Sequence, residues 1–405
     1  VKKNVLKMFA GDMMYSVLAL CTLNGILQLF VNPYLTRQMG ATDFGVILSI
    51  QSVVSIMAST FGTGANYSRM MTVTKKQDPK GDYNIFLVGI GLLSLAVTLV
   101  MLYVFDRTYP DRGIFSAGMY VSSLVLMVAT VLRYYGDVSY KQTVNYRGYL
   151  VYYIVISAGY IVGTLLYPVT HSWGLALCLG EVCATVFVAA TGVIYKRPLF
   201  EKSEKHRYVM QSVWQLSFAY LISGMIMNAD RILLMLFVGS AEVTVFYTAT
   251  LVGKIVAMLT SPLNGVVMGH LSQYEGKLTR KAMGLISALM LLVCVVVLAC
   301  SVVVSHVFVK IMYPDVYELA RPLFLIANAG QIFYFTSESL MVIVLRFTGE
   351  KLQIVLNVAY AVLFFALVVP AVLLYGLNGL AAGILIANVI RYAAVTVVGI
   401  MFGTK

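Results

Sequence analysis

The sequence predicts an all-α polytopic membrane protein, with twelve transmembrane helices in two parallel six-helix repeats. Three observations predict it. Of the 405 residues, 60% are apolar and 11% charged, whereas soluble domains carry roughly 25% charged residues. Long apolar runs recur along the whole chain, each able to cross a ~30 Å hydrocarbon core as a helix. Short motifs also recur in the same order in both halves. A transmembrane β-barrel would show short alternating segments instead.

The runs place spans at 10–36, 44–72, 84–105, 113–136, 147–168, 172–195, 209–238, 243–270, 282–310, 317–346, 352–375 and 379–402. Basic residues precede the first run, but it continues too far for a signal peptide and reads as a retained helix. The first lobe is expected at 1–195, a hydrophilic cytoplasmic linker at 196–208 and the second lobe at 209–405.

A net charge of +12 raises the question of nucleic acid, and its distribution excludes it. With the N-terminus inside, the inner segments hold Lys2, Lys3, Lys7, Arg69, Lys75, Lys76, Lys80, Arg133, Lys141, Arg147, Lys196, Arg197, Lys202, Lys205, Arg207, Lys277, Arg280, Lys281, Arg346, Lys351 and Lys405. The outer gaps hold only Arg37, Arg107, Arg112, Lys310 and Arg321. This asymmetry follows the positive-inside rule and puts both termini in the cytoplasm. Arg231, Lys254 and Arg391 remain, all within spans.

The repeat shows in ordered matches. GATD at Gly40 lies 199 positions before GSAE at Gly239, and Gly25 lies the same distance before Gly224. YPD at Tyr109 returns 204 positions on at Tyr313, and GLA at Gly174 returns 205 on at Gly379. A six-helix unit is even, so both copies enter the membrane from one side, an arrangement that puts a substrate path between them.

Polar residues at helical spacing mark faces turned from lipid. Span 1 carries Asn24, Gln28 and Asn32; span 2 carries Gln51, Ser55, Ser59, Gly62, Asn66 and Arg69. Span 7 carries Ser217, Tyr220, Gly224, Asn228 and Arg231; span 8 carries Tyr247, Thr250, Lys254, Ser261 and Asn264. The repeat pairs span 1 with 7 and 2 with 8, which points to one hydrated cavity. The bland alternative for any single Ser, Thr or Asn is helix–helix hydrogen bonding, at ~0.6–2 kcal/mol each. A basic residue at mid-membrane costs ~2.5–3.5 kcal/mol and calls for a partner or a function. Lys254 and Arg391 have no acid within one turn on their own helices. Asp230 and Arg231 are adjacent but diverge by about 100° around a helix. Asp230 is free to balance Arg231, bind a coupling cation or pair with Lys254. Glu181 and Glu338 are further acids within spans, expected as structural partners or protonated carboxyls.

No enzyme signature appears: no metal-protease motif, phosphate-binding loop or paired-carboxylate motif. Cys21, Cys178, Cys183, Cys294 and Cys300 all lie in spans and read as packing residues, with no metal site. Without an ATP site, uphill transport must draw on an ion gradient or membrane potential.

The stretch YLTRQMGATDFGVILSIQSVVSIMASTFGTGANYSRM (Tyr34–Met70) resembles the first two helices of the polysaccharide transporter, or oligosaccharide-lipid flippase, family. DRILLMLFVGSAEVTVFYTATLVGKIVAMLTSPL (Asp230–Leu263) resembles its helices 7 and 8, and MYPDVYELARPLFLIANAG with FTGEKLQIVLNVAYAVLFF is similar to its C-terminal part. The resemblance implies the two-lobed fold of the multidrug/oligosaccharidyl-lipid/polysaccharide exporter superfamily. It implies a flippase that carries a polyprenyl-pyrophosphate-linked oligosaccharide from inner to outer leaflet by alternating access, in a bacterial-type inner membrane.

The implied partners are the lipid-linked oligosaccharide, membrane lipids and a glycan polymerase or glycosyltransferase. No cofactor is implied beyond a coupling Na+ or H+. Among the head-group contacts, Lys254 matches the family's helix 8 cation by location, while helix 1 offers only Arg37 at its outer end. The substrate-binding candidates are therefore Arg231, Lys254, Arg391, Arg37, Arg69, Asn66 and Asn228. Asp230 fills the family's helix 7 acid position, with Asn357, Asn388 and Glu338 as candidates for ion coupling or charge balance. A pyrophosphate needs cationic donors in a low-dielectric site, bidentate from Arg and point-like from Lys. RYYGDVSYKQTVNYRGYLVYY (Arg133–Tyr153) reads as an interfacial aromatic belt, with sugar stacking as the alternative. The rival functions are a cation-coupled multidrug exporter of the same superfamily, which would favour acidic cavities, and a non-transporting membrane scaffold.

Overall fold

The computed structural model describes residues 2–72, 80–108, 117–192, 194, 200–272, 278–348 and 350–402. The YPD motif at Tyr109, together with Arg112, Lys75, Lys76, Lys196, Arg197, Lys277 and Lys405, lies outside them. Among the described residues the chain is helical without strands: α1 (Lys2–Ile26), α2 (Asn32–Met57), α3 (Gly64–Thr72), α4 (Asp82–Thr108), α5 (Ala117–Gly136), α6 (Val138–Lys141), α7 (Tyr146–Leu165), α8 (Tyr167–Thr170), α9 (Trp173–Thr191), α10 (His206–Phe237), α11 (Ser240–Ser272), α12 (Arg280–Met312), α13 (Pro314–Ala320), α14 (Phe324–Thr348) and α15 (Glu350–Phe402).

Eight of the described helical runs are long and apolar enough to cross a membrane. Two of them, Gly11–Met71 and Leu352–Met401, are each a pair of helices. The first breaks at Gly40 (φ 80°, ψ 165°), a backbone region open essentially to glycine alone. The second breaks at Gly376 (φ 57°, ψ −134°). Dividing these two and adding α11 and α14 gives the expected twelve spans. Short π-helical stretches at Leu27–Val31 and Ala58–Thr63 join α1 to α2 and α2 to α3. Asn145, Ser172 and Thr279 cap α7, α9 and α12 by accepting from Gly148, Leu175 and Ala282 amides at 3.0, 3.3 and 3.2 Å, which satisfies donors that the first turn leaves open.

Packing divides the chain at positions other than the sequence linker. One compact unit comprises Val1–Met39 and Ile47–Ala229, the other Gly40–Val46 and Asp230–Lys405. The first half of α10 belongs to the first unit because its small residues pack on α2 and α3. Ser212 accepts from Ser68 at 3.0 Å, and Tyr220 stacks on Tyr67 at 5.7 Å. Trp214 meets Phe61 and Phe86 edge-on at 6.0 and 5.6 Å. A Cβ on Gly64 would sit 2.5 Å from Ser217 Oγ, and one on Gly224 would sit 2.9 Å from Ser59 Oγ. The linker is also tied to this unit. Buried Asp82 accepts from the Ser203 amide at 3.1 Å and from the Ser203 hydroxyl, and meets His206 Nδ1 at 2.7 Å.

In the second unit, residues 40–46 lie on the start of α11. Thr244 Oγ1 donates to Ala41 O at 2.6 Å, and Phe44 meets Tyr247 edge-on. A Cβ on Gly45 would fall 1.7 Å from Ser240 O. The two copies of the repeated turn motif therefore touch each other. Elsewhere α14 is central, packed by α11, α12 and α15, with a core of Met283, Leu340, Met341, Val344, Tyr392 and Val395. Buried Asn328 staples α14 to α11, accepting from the Gly253 amide at 2.7 Å and donating to Ala249 O at 3.2 Å. Leu285, Leu289, Leu292, Val296 and Val303 of α12 stay exposed, a surface suited to lipid.

Candidate functional site

In the first unit the basic candidate is Arg69, at the end of α3. Its side chain is buried (4% exposed). Nη1 donates to Tyr135 Oη at 2.8 Å and Nε to Gln142 Oε1 at 3.3 Å. The guanidinium lies 5.5 Å from the centroid of the Tyr83 ring, which stacks on Tyr135. Among the described residues no carboxylate pairs with it. Arg69 is counted among the inner-segment charges by sequence, yet the structure withdraws it into the unit.

Two other cations of this unit do have acids. Arg133 Nε meets Glu181 Oε2 at 2.6 Å with both side chains largely buried, and Tyr160 donates to Glu181 Oε1 at 2.6 Å. Lys141 meets Asp137 at 3.1 Å, and Tyr149 and Tyr153 both donate to that carboxylate at 3.2 Å. Tyr135, Tyr149, Tyr152 and Tyr153 are fully or almost fully buried. The expectation of an interfacial belt over Arg133–Tyr153 is corrected at these positions: Tyr149 and Tyr153 serve Asp137, Tyr135 accepts from Arg69, and Tyr152 donates to the Arg133 carbonyl.

The polar stripes of spans 2 and 7 are corrected in part as well. Of the stripe residues, Ser59, Ser217 and Gly224 are packed helix against helix within one unit, beside Gly64, Ser68 and Ser212, the bland alternative. Asn66 Nδ2 donates to Tyr134 O at 3.0 Å, and Asn228 Nδ2 donates back to Gly224 O at 2.9 Å on its own helix. Arg37 is exposed.

The second unit holds two clusters. In the first, Lys254 Nζ on α11 meets Asp230 Oδ2 on α10 at 2.7 Å, so Lys254 finds its acid on the neighbouring helix. The Asp230 Oδ1 atom is buried with no close hydrogen-bond partner among the described residues. Arg231, one residue on, lies over the Tyr247 ring at 5.1 Å. Both side chains therefore reach α11, at Lys254 and at Tyr247, and of the three roles open to Asp230 the structure shows the Lys254 pair.

In the second cluster Arg391, 4% exposed, pairs through Nη2 with Glu338 of α14 and donates to Asn357 Oδ1 at 3.3 Å. The rings of Tyr360 and Tyr334 lie 4.4 and 4.8 Å from its guanidinium carbon, within the range of cation–π attraction. Its Nε and Nη1 are buried with no close hydrogen-bond partner among the described residues. Asn388 accepts from Tyr360 Oη at 2.6 Å and donates to Gly330 O at 2.8 Å. Asn357, Asn388 and Glu338 thus gather around Arg391 and its tyrosines, and no hydrogen bond or ion pair joins them to Asp230.

Sequence reasoning missed Tyr135, Gln142, Tyr334 and Tyr360 as partners of the buried arginines. The available signal for the last two was spacing: Tyr334 and Glu338 are four apart on one helix, as i and i+4 neighbours.

Compared with solved structures, the chain is similar to the lipid II flippase MurJ in an inward closed conformation, with TM-score 0.72 and 11% identity over 94% of this chain and 86% of that one. It is similar to a multidrug resistance MATE family transporter of the MOP superfamily in its inward-facing conformation, with TM-score 0.61 and 13% identity over 95% and 93%. A third neighbour is a MOP superfamily transporter from Pyrococcus furiosus described as having a binding pocket of reverse polarity, with TM-score 0.52 and 15% identity over 98% and 94%. No protein-family model matches the sequence, and no curated protein matches it.

Proposed function

We propose a reading of the site that starts from the fold, which is similar to that of MOP-superfamily membrane transporters. We propose that this chain is a flippase of the polysaccharide transporter type, moving a polyprenyl-pyrophosphate-linked oligosaccharide from the inner to the outer leaflet by alternating access. The observation that carries the reading is Arg69: a buried guanidinium whose hydrogen-bond partners among the described residues are the neutral Tyr135 and Gln142. Arginine keeps its charge in a protein, and a buried charge without a counter-charge is costly. The missing counter-ion is then an anionic group of the cargo, and a pyrophosphate matches the fork geometry of arginine.

Within the second unit, Arg391 and Arg231 are separate candidates for anion contact. Lys254 and Asp230 neutralise each other in the conformation seen. A coupling cation at Asp230 would have to displace the Lys254 ammonium, which makes Asp230 first a charge-balancing residue. Coupling runs on a Na+ or H+ gradient or on the membrane potential.

Proteoliposomes carrying a fluorescent prenyl-pyrophosphate sugar test this. Wild-type protein should move the lipid between leaflets, and Arg69→Gln should slow it at least tenfold while the protein stays folded. Equal transbilayer movement in both sinks the reading. Export of cationic dyes with the lipid ignored would establish the multidrug alternative.

A further inference from the structure

Tyr67 of α3 and Tyr220 of α10 form a stacked pair on the surface of the first unit. Their rings lie 5.7 Å apart at an interplanar angle of 22°. Tyr67 is 41% exposed, while its chain neighbours Asn66, Ser68 and Arg69 are buried. Two features set the pair apart from a lipid-facing belt. Tyr220 lies 11 residues into the span that begins at 209, about 16 Å along the helix and so near the middle of a ~30 Å core. An interfacial belt sits at the headgroup level instead. The lipid-suited face of α10 carries Phe218, 65% exposed, and Tyr220 is turned about 200° away from it around the helix. Hydrocarbon offers a phenol no partner, so a polar ring at this depth faces protein or water. Tyr67 is too exposed to be enclosed by protein. The pair therefore borders a wet surface.

A cation stands beside the rings. Lys141 lies within electrostatic reach of both Tyr67 and Tyr146, and its side chain is partly exposed. An ammonium carries three donors, and Lys141 gives one to Asp137 at 3.1 Å. Tyr149 and Tyr153 donate to the same carboxylate, so Asp137 is well supplied without drawing on the rest of the lysine. A flat apolar ledge edged by a charged donor fits a pyranose. One face of such a sugar is made of C–H groups, and its rim is made of hydroxyls. The face packs on an aromatic ring, and a hydroxyl accepts from the charged donor.

We propose that Tyr67 and Tyr220 form a sugar-binding ledge for the glycan of the cargo, with Lys141 beside it as donor to a hydroxyl. This deepens the flippase reading and rests on it. Tyr67, the more exposed ring, meets the sugar, and Tyr220 holds the plane of that ring by stacking. Such a contact reads the shape of a pyranose more than its pattern of hydroxyls, so the ledge accepts more than one sugar.

The test uses the full chain in lipid nanodiscs, free of sugar-headed detergent, and two soluble probes. One is citronellyl pyrophosphoryl N-acetylglucosamine; in the other a methyl group replaces the sugar on the same pyrophosphate, so the charge is equal. Calorimetry reads both affinities. Wild-type protein should bind the sugar-bearing probe about tenfold tighter than the methyl probe. Tyr67→Leu and Tyr220→Leu should each bring the two affinities together by weakening the sugar-bearing probe alone. Retained binding of the methyl probe shows that the variants are folded. Tyr67→Phe keeps the ring and should keep the preference. If wild-type protein binds both probes equally, or the preference survives both leucine variants, the ledge is refuted while the head-group reading stands. If wild-type protein binds neither probe, both fall together.

Discussion

Asp230→Asn leaves the Lys254 ammonium inside a membrane-crossing unit with no anion beside it. The two atoms lie 2.7 Å apart, with side-chain exposures of 20% for Lys254 and 5% for Asp230. At an effective dielectric of 20, that separation corresponds to an attraction of about 6 kcal/mol. Part of this offsets the desolvation of both ions, so the measured loss is smaller. Breaking a buried pair by removing one partner costs ~3–5 kcal/mol, and placing an uncompensated basic group at mid-membrane costs ~2.5–3.5 kcal/mol. The expected destabilisation is therefore ~3 kcal/mol. Reversible unfolding in detergent micelles reads it, for Asp230→Asn, Lys254→Met and the double variant. The double variant removes both charges and should lose less than either single variant, so the coupling opposes the summed single losses. A coupling near zero, with the double variant losing the sum of the two single losses, would refute the pairing. Sodium-dependent stabilisation that disappears in Asp230→Asn but survives in Lys254→Met would show that a cation site at Asp230 coexists with the lysine.

Arg133→Gln should destabilise by ~3–5 kcal/mol, since it strands Glu181, whose side chain is 2% exposed. The same unfolding assay should show that adding Glu181→Gln recovers much of it. Arg69→Gln strands no acid, and its folding stability should stay within ~1 kcal/mol of wild type even as lipid movement falls. Gly40→Ala meets no neighbouring atom within 4 Å yet must hold a positive φ with extended ψ. It should cost ~1–3 kcal/mol through backbone strain alone. Gly45→Ala puts a methyl 1.7 Å from Ser240 O and should lift residues 40–46 from α11, seen as faster proteolysis near that turn.

The spans were legible because each depends on one local property, a run of apolar side chains long enough to cross the bilayer. The boundary between compact units was not, because it depends on which side chains meet. The hydrophilic linker near Lys202 looks like a natural divide. Asp82, however, clasps Ser203 and His206, and α10 then runs on through Trp214 and Ser217 packed against the first unit. Nothing local in the sequence says that the divide lies inside this helix at Asp230. The same limit governs the charges. A search along one helix finds no acid near Lys254 or Arg391, and both acids lie on other helices, at Asp230 and Glu338. Arg133, which sequence counts as a cytoplasmic charge, is buried against Glu181 for the same reason.

Once partners are assigned, the buried cations sort by what they face, and that sorting changes which of them bears on function. Arg133, Lys141 and Lys254 each face a carboxylate close enough to neutralise them. Each is accounted for by the fold, and a cargo anion reaching them would have to break an existing pair. Arg391 is intermediate, held by a carboxylate that is itself accessible. Among the described residues Arg69 faces the phenol of Tyr135, the amide of Gln142 and the ring of Tyr83, with no carboxylate. Neutral hydrogen bonds orient a guanidinium without cancelling its charge. Among the described residues nothing supplies that cancellation, and under the proposed function an anion of the cargo would. A membrane protein that only scaffolds others has no use for this residue, and an exporter of cations would be hindered by it. The residue that sequence grouped with surface charges is therefore the one that argues most directly for an anionic cargo.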